Sequence, residues 1–297
     1  MKQNGWPRKA SFLTLTLFTL LNIFTVTNSY ASGAKLPEVT DGTVLTDSSD
    51  NPLPPTGGGT STTPPSTGGG SLLASSLNRP WAKSGTSIVI DAYEGNSIDW
   101  AKMAADKKVV GVIHRSSIGS RLDGLYQSRK KIARERGYLW GAYHLGYRGN
   151  TIAQADLFLS LVKDEPETLM VLDLENTSAT NLMSVDEAVV FMDRVYEKTG
   201  RTPVVYANQS TTQLLNQKVK NNPRFQEAKL WYARFKPTVT DFPKGIWSNY
   251  FLWQFSSELN CSSTGSCLYN VPGTKFDMDI NVFYGSPGEL EAQWNNN

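Results

Sequence analysis

The stretch Leu169-Met170-Val171-Leu172-Asp173-Leu174-Glu175 decides the fold. An unbroken apolar run leads into Asp173, and Asn176-Thr177-Ser178 ends it. A short continuous apolar run bounded by polar residues predicts a strand buried on both faces, as in a parallel sheet. Side chains alternate along a strand, so Asp173 and Glu175 point the same way, roughly 6–7 Å apart along the backbone. Two carboxylates at the C-terminal end of a buried parallel strand stand where α/β barrels place their chemistry. Alone, such a D-x-E is more often a pair of solvated loop acids or half of a salt bridge. The surrounding chain decides between the readings.

Upstream, Ser87-Ile88-Val89-Ile90-Asp91 is a first buried strand ending in an acid, and Asp99 is placed to cap a helix from Trp100. Residues 109–114 form a second strand, 126–136 a charged helix stopped by Gly137, and 138–144 a third strand. Thr151-Ile152-Ala153-Gln154 has the form of a capping box, ahead of Ala155, Phe158, Leu159 and Val162 on one helical face. Downstream, Ser184-Val185-Asp186-Glu187 is a second capping box, followed by Ala188, Phe191, Met192 and Val195, with Gly200 as the stop. Residues 203–207 give a fifth strand, and 230–233, 251–255 and 276–283 three more strand-like runs with little helix between them. Strands alternating with helices, then strands alone, predict a single TIM-like α/β barrel of parallel strands whose last strands lack helices, a (β/α)5(β)3 arrangement.

The ends and the bulk numbers bound the rest. Residues 1–31 read as a secretory signal peptide: Lys2, Arg8 and Lys9 form a positive start, 12–26 is apolar, and Ser29-Tyr30-Ala31 supplies small residues at the cleavage site. That apolar run is short of the roughly 20 residues a membrane span needs, so no stable membrane insertion is expected after cleavage. Residues 32–80 read as a disordered linker, with Pro-Pro-Thr-Gly-Gly-Gly at 54–59 recurring as Pro-Pro-Ser-Thr-Gly-Gly-Gly at 64–70. The domain is then 81–297. The 29 basic residues nearly balance 27 acidic ones, and three of the basic residues lie in the signal segment, so there is no electrostatic footprint for nucleic acid. Two histidines and two cysteines are too few for a Cys/His metal site. Cys261 and Cys267, in an exported chain and separated by small polar residues and Gly265, are expected to form one disulfide.

Seven motifs in order give the domain a resemblance to the family-25 glycoside hydrolases, the N,O-diacetylmuramidase lysozymes. They are Asp91 with Ile98-Asp99-Trp100; Gly141-Ala142-Tyr143-His144; Leu172-Asp173-Leu174-Glu175; Thr199-Gly200-x-x-Pro203 with Tyr206; Leu230-Trp231-x-Ala233; Leu252-Trp253-Gln254-Phe255; and Asp279-Ile280-Asn281-x-Phe283-x-Gly285. The chain departs from that pattern in three places. The first loop, 92–97, is shorter and carries Glu94. The second strand leads into His114-Arg115-Ser116-Ser117 without the family's acid. An insertion at 256–275 holds both cysteines.

The resemblance implies a secreted or periplasmic lysozyme that cuts the β-1,4 bond between N-acetylmuramic acid and N-acetylglucosamine in peptidoglycan, acting as a monomer without cofactor or metal. It implies Glu175 as general acid, and Asp173 as the group that orients the substrate's own acetamido, with Asp173 activating a water as the other route. Asp91 and Asp279, on the first and last strands, are implied to support that pair. Tyr143, Tyr206 and Trp253 are candidates to line the groove. His144 is read as a structural histidine and Glu94 as a solvated loop acid. The alternatives are a hydrolase of another N-acetylhexosamine polymer such as chitin, or a wall-binding relative without turnover.

Overall fold

The computed structural model describes residues 69–262 and 264–296. The proposed signal peptide and the 32–68 part of the proposed linker lie outside them.

Eight strands close into a barrel: β1 (Ser87–Ala92), β2 (Val109–Ile118), β4 (Leu139–Leu145), β5 (Leu169–Leu174), β6 (Val204–Asn208), β7 (Leu230–Ala233), β8 (Leu252–Ser256) and β9 (Asp279–Phe283). The two-residue β3 (Arg121–Leu122) is a hairpin return on β2. Helices α2 (Trp100–Met103), α3 (Tyr126–Glu135), α4 (Thr151–Val162), α5 (Val185–Thr199), and the pair α6 (Gln209–Lys218) and α7 (Pro223–Glu227), follow the first five barrel strands. Among the described residues, no α-helix lies between β7 and β8 or between β8 and β9, which is the (β/α)5(β)3 order.

One expectation fails. Neighbouring barrel strands from β1 through β8 pair in parallel, but β9 is antiparallel to both β8 and β1. The reason is the path of the preceding segment. After β8 the chain folds down over α2, which has only one turn and leaves that flank of the barrel open. Asp99 N donates to Gly273 O (2.8 Å) and Tyr269 Oη to Asp106 Oδ2 (2.7 Å). The chain then returns to the rim it left, so β9 starts there and runs back down. Gly273 has φ +83°, and a Cβ on it would lie 2.4 Å from Asp99 O, so only glycine allows this approach.

Every barrel strand is buried on both faces, and two cores result. Val89, Ile113, Leu169, Val171, Val204, Trp231, Leu252 and Phe283 fill the barrel interior, with Trp294 of α8 (Pro287–Asn295) as the plug at the bottom. Trp294 Nε1 donates to Trp140 O (2.9 Å), and a Cβ on Gly141 would meet its ring at 3.2 Å. The alternate residues, among them Ile90, Trp140, Leu172, Val205, Tyr232 and Trp253, face the helices.

Two local expectations are corrected. Residues 69–80 are not linker: Gly69–Ser76 is helix α1, Leu77 is buried, and Tyr250 Oη donates to Ser76 O (2.5 Å). Trp81 then stacks on Phe255 at 3.8 Å. Gln154 does not close a capping box on α4, whose N-cap, Asn150, has φ 50° and no side-chain cap. Gln154 instead accepts from His144 Nε2 (3.0 Å) and Tyr147 N (2.9 Å) and donates to Tyr147 O and Gly149 O, pinning the loop after β4. The Ser184 capping box and the Asp99 cap form as expected.

Candidate active site

Inward-facing residues of a strand recur every second position, so each interior apolar residue predicts what stands above it. Val89 leads to Asp91, Gly141 to Tyr143, Val171 to Asp173 and then Glu175, Val204 to Tyr206, and Leu252 to Gln254. Strand β9 runs the other way, so its inward series rises from Phe283 through Asn281 to Asp279, its first residue. Antiparallel β9 is what lifts Asp279 to the same rim as the ends of the parallel strands. Asp91, Tyr143, Asp173, Glu175, Tyr206, Trp231, Gln254 and Asp279 line one cavity of about 60 Å³ there.

All four acids singled out in the sequence therefore meet. Asp91 and Asp173 are 6% and 7% exposed, and Glu175 and Asp279 are partly open. Burial pushes each carboxyl up. Asp91 is raised to about 6, burial outweighing hydrogen bonds from Asn281 and Gln254, with Glu175 adding repulsion. Asp173 lies well above the carboxylate range through burial, then Glu175 and Asp91; Arg115 opposes this. Asp279 is well above it through burial, then Asp91 and Glu175. Glu175 is raised by burial. Neighbouring buried carboxyls cannot all ionise, so such a site stores protons near neutral pH.

Asp173 Oδ1 is buried with no hydrogen-bond partner among the described residues. A buried acceptor left open costs free energy unless a ligand or solvent completes it. Asp173 lines the cavity, and an N–H or O–H of a substrate that reached this oxygen would satisfy it.

Of the three aromatics named from the sequence, Tyr143 and Tyr206 line the cavity and Trp253 does not. Trp253 is fully buried on the outer face of β8, where its Nε1 donates to Arg234 O (2.8 Å) and its ring packs edge-on to Trp81. The neighbouring strand supplies the tryptophan instead: Trp231 of β7 faces the cavity, its ring 4.8 Å from Tyr206. Gln254, Asn281 and Trp231 were missed as site residues. The polar Gln254 inside Leu252-Trp253-Gln254-Phe255 was the available signal, since a lone amide in an otherwise apolar buried strand needs a polar interior to face.

The remaining candidates are structural. His144 is fully buried between Ser117 Oγ (2.9 Å, to Nδ1) and Gln154 Oε1, and burial lowers it to about 4, so it is neutral. Glu94 is a partly exposed loop acid, as expected, but it is also paired: it bonds Arg121 (2.6 Å) and Arg115 (3.3 Å) and accepts from Gly124 N (2.7 Å). These donors outweigh burial and hold its carboxyl below the usual range, the wrong direction for a proton donor. Arg115 is clamped between Glu94 and Asp123 (3.1 Å) and lies over the Tyr93 ring at 4.7 Å. Cys261 and Cys267 are disulfide-bonded in the segment between β8 and β9.

A closed α/β barrel with clustered proton-holding carboxyls at its strand ends has the layout of a barrel glycoside hydrolase. The chain belongs to glycosyl hydrolases family 25, whose model matches residues 90–264. Among solved structures, it is similar to the bacterial lysozyme from Streptomyces coelicolor, with 24% identity, TM-score 0.56, and coverage of 72% of this chain and 99% of that one. It is also similar to the muramidase from Trichobolus zukalii, at 22% identity, TM-score 0.57, and 71% and 100% coverage. The spore cortex lytic enzyme SleM from Clostridium perfringens aligns at 21% identity, TM-score 0.55, over 68% of each chain. No curated protein matches the chain.

Proposed function

We propose that the chain is an exported muramidase that hydrolyses the β-1,4 bond between N-acetylmuramic acid and N-acetylglucosamine in peptidoglycan. Family membership supports glycan hydrolysis, and the likeness to a lysozyme and a muramidase supports this bond. Export rests on the signal-like sequence of residues 1–31.

In this reading Glu175 is the general acid. Its carboxyl is raised, and it sits at the open edge of the cavity, so it can hold a proton and deliver it to the glycosidic oxygen. The observation that carries the mechanism is the open Oδ1 of Asp173. An acetamido N–H donated to that oxygen orients the substrate's carbonyl oxygen toward its own anomeric carbon and favours the ionised form of Asp173. The carbonyl oxygen attacks, the glycosidic bond breaks, and the leaving oxygen takes the Glu175 proton. Water then opens the cyclic intermediate, returning a proton to Glu175. Substrate assistance of this kind is an accepted variant of the two-carboxylate scheme. Asp91 and Asp279 set the charge around the pair, and Tyr143, Tyr206 and Trp231 form the groove wall.

Digestion of purified peptidoglycan, followed by reduction of new chain ends and sugar analysis, tests the reading. Reduced N-acetylmuramic acid is expected. Products from chitin oligomers alone would move the substrate to another N-acetylhexosamine polymer. Wall binding without new ends on any glycan would make the domain a binding relative.

A further inference from the structure

Only one of the four cavity acids is held by hydrogen bonds. Among the described residues, Asp173, Glu175 and Asp279 receive none through their side chains, whereas Asp91 Oδ2 accepts from Gln254 Nε2 (3.0 Å) and from Asn281 Nδ2 (2.7 Å). Both donors are buried, at 2% and 0% exposure, and Gln254 and Asn281 stand opposite each other across the β8–β9 pair.

The orientation of both amides is fixed from behind. Tyr206 Oη donates to Gln254 Oε1 (2.7 Å), and Trp231 Nε1 donates to Asn281 Oδ1 (2.6 Å). The second Asn281 Nδ2 hydrogen goes to Val89 O (3.0 Å). Rotating Asn281 by a half-turn would set N–H against the indole N–H and oxygen against both Asp91 and Val89 O. An amide with all its partners assigned has one orientation. Two groove-wall aromatics thus aim two N–H groups at one carboxylate oxygen.

We infer that Gln254 and Asn281 are positioning residues that hold Asp91 as the standing carboxylate of the cavity and tie its charge to the groove wall through Tyr206 and Trp231. The inference rests on the muramidase reading only for its purpose there: a fixed negative charge on Asp91 opposes ionisation of Glu175 and Asp173, which keeps the general acid loaded. The groups facing Asp91 are Glu175 and Asp173 from the β5 end, Asp279 from β9, Tyr143 from β4 and Tyr206 from β6, with Arg115 of β2 acting on Asp173 and Tyr143. Two donors to the charged form favour ionisation, and neither Asp173 nor Asp279 has them, so Asp91 loses its proton before those two.

The test reads the carboxyls directly. Protein carrying aspartate with a ¹³C-labelled carboxyl is titrated by NMR without substrate, and the Asp91 signal is identified by its loss in Asp91→Asn. Asp91 is expected to titrate below Asp173 and Asp279. In Gln254→Leu, which removes one donor, its midpoint is expected to rise by about one pH unit. A merely structural role would lower the melting temperature and leave that midpoint in place. Tyr206→Phe removes only the hydroxyl that orients Gln254 and serves where Gln254→Leu does not fold; a smaller rise in the same direction is expected. Asp173 or Asp279 titrating before Asp91, or a midpoint of Asp91 unmoved in the folded variants, would overturn the inference. Because no turnover is measured, failure of the muramidase reading would leave this result standing.

Discussion

Asp91 and Asp279 are directly paired residues on the antiparallel β1–β9 ladder. The repulsion between them helps raise Asp279 well above its ordinary range, after burial. Replacing Asp91 by Asn removes that repulsion, and the charge opposing ionisation of Asp173 as well. The remaining acids then lose their protons at lower pH. The basic limb of the pH profile of kcat/KM is expected to move down by about one pH unit in Asp91→Asn. Asp279→Asn is expected to act in the same direction and to be milder than loss of Glu175. Profiles measured on soluble glycan fragments check both.

Stability should respond to the same burial. A carboxyl raised in the fold contributes stability that is present below its unfolded pKa, about 4, and is lost as pH rises through its folded value. Asp173 is raised well above the ordinary range, so the native state carries its cost at neutral and higher pH. Asp173→Asn removes the titration. A tenfold change in proton affinity between the folded and unfolded chain corresponds to about 1.4 kcal/mol, so the variant is expected to melt several degrees higher than wild type at pH 8. At pH 4 the gain should be largely gone. Thermal melts at the two pH values decide it.

Much of this was legible in the sequence. Asp91, Asp173 and Glu175 end apolar runs, and a buried strand ending in an acid has little else to do with it than face a polar interior. The direction of β9 was not legible, because an apolar run has no arrow and the fill-in of the α2 flank by residues 257–278 depends on tertiary packing. Trp231 and Trp253 were not separable by pattern, since β7 and β8 are buried on both faces and show no hydrophobic alternation. Gln154 looked like a cap because capping and loop pinning draw on the same amide chemistry.

The N-terminal boundary carries a stability prediction. Leu77 is 3% exposed and Trp81 4%, and a fully buried large side chain contributes about 1.5–3 kcal/mol. A chain beginning at Gly69 is expected to melt like one that keeps residues 32–68. One beginning at Lys83 should lose several degrees or fail to fold, and Trp81→Ala alone should cost about 3–5 kcal/mol. Calorimetry on the untruncated protein, the two shortened chains and Trp81→Ala checks this.

Cys261 and Cys267 are six residues apart in sequence. So short a loop limits the entropic gain to about 2 kcal/mol. The double variant Cys261→Ser/Cys267→Ser is expected to fold, with a melting temperature lower by several degrees. Thiol labelling of the wild type under denaturing, non-reducing conditions should give no modified cysteine.

Glu175→Gln keeps size and polarity but removes the acidic proton, so it bears most directly on the proposed chemistry. Release of reducing ends from purified peptidoglycan is expected to fall by about 10²–10⁴-fold, with binding to the insoluble wall retained. Wild-type-like release by Glu175→Gln would contradict the assignment of the general acid, because the proton would then come from another group.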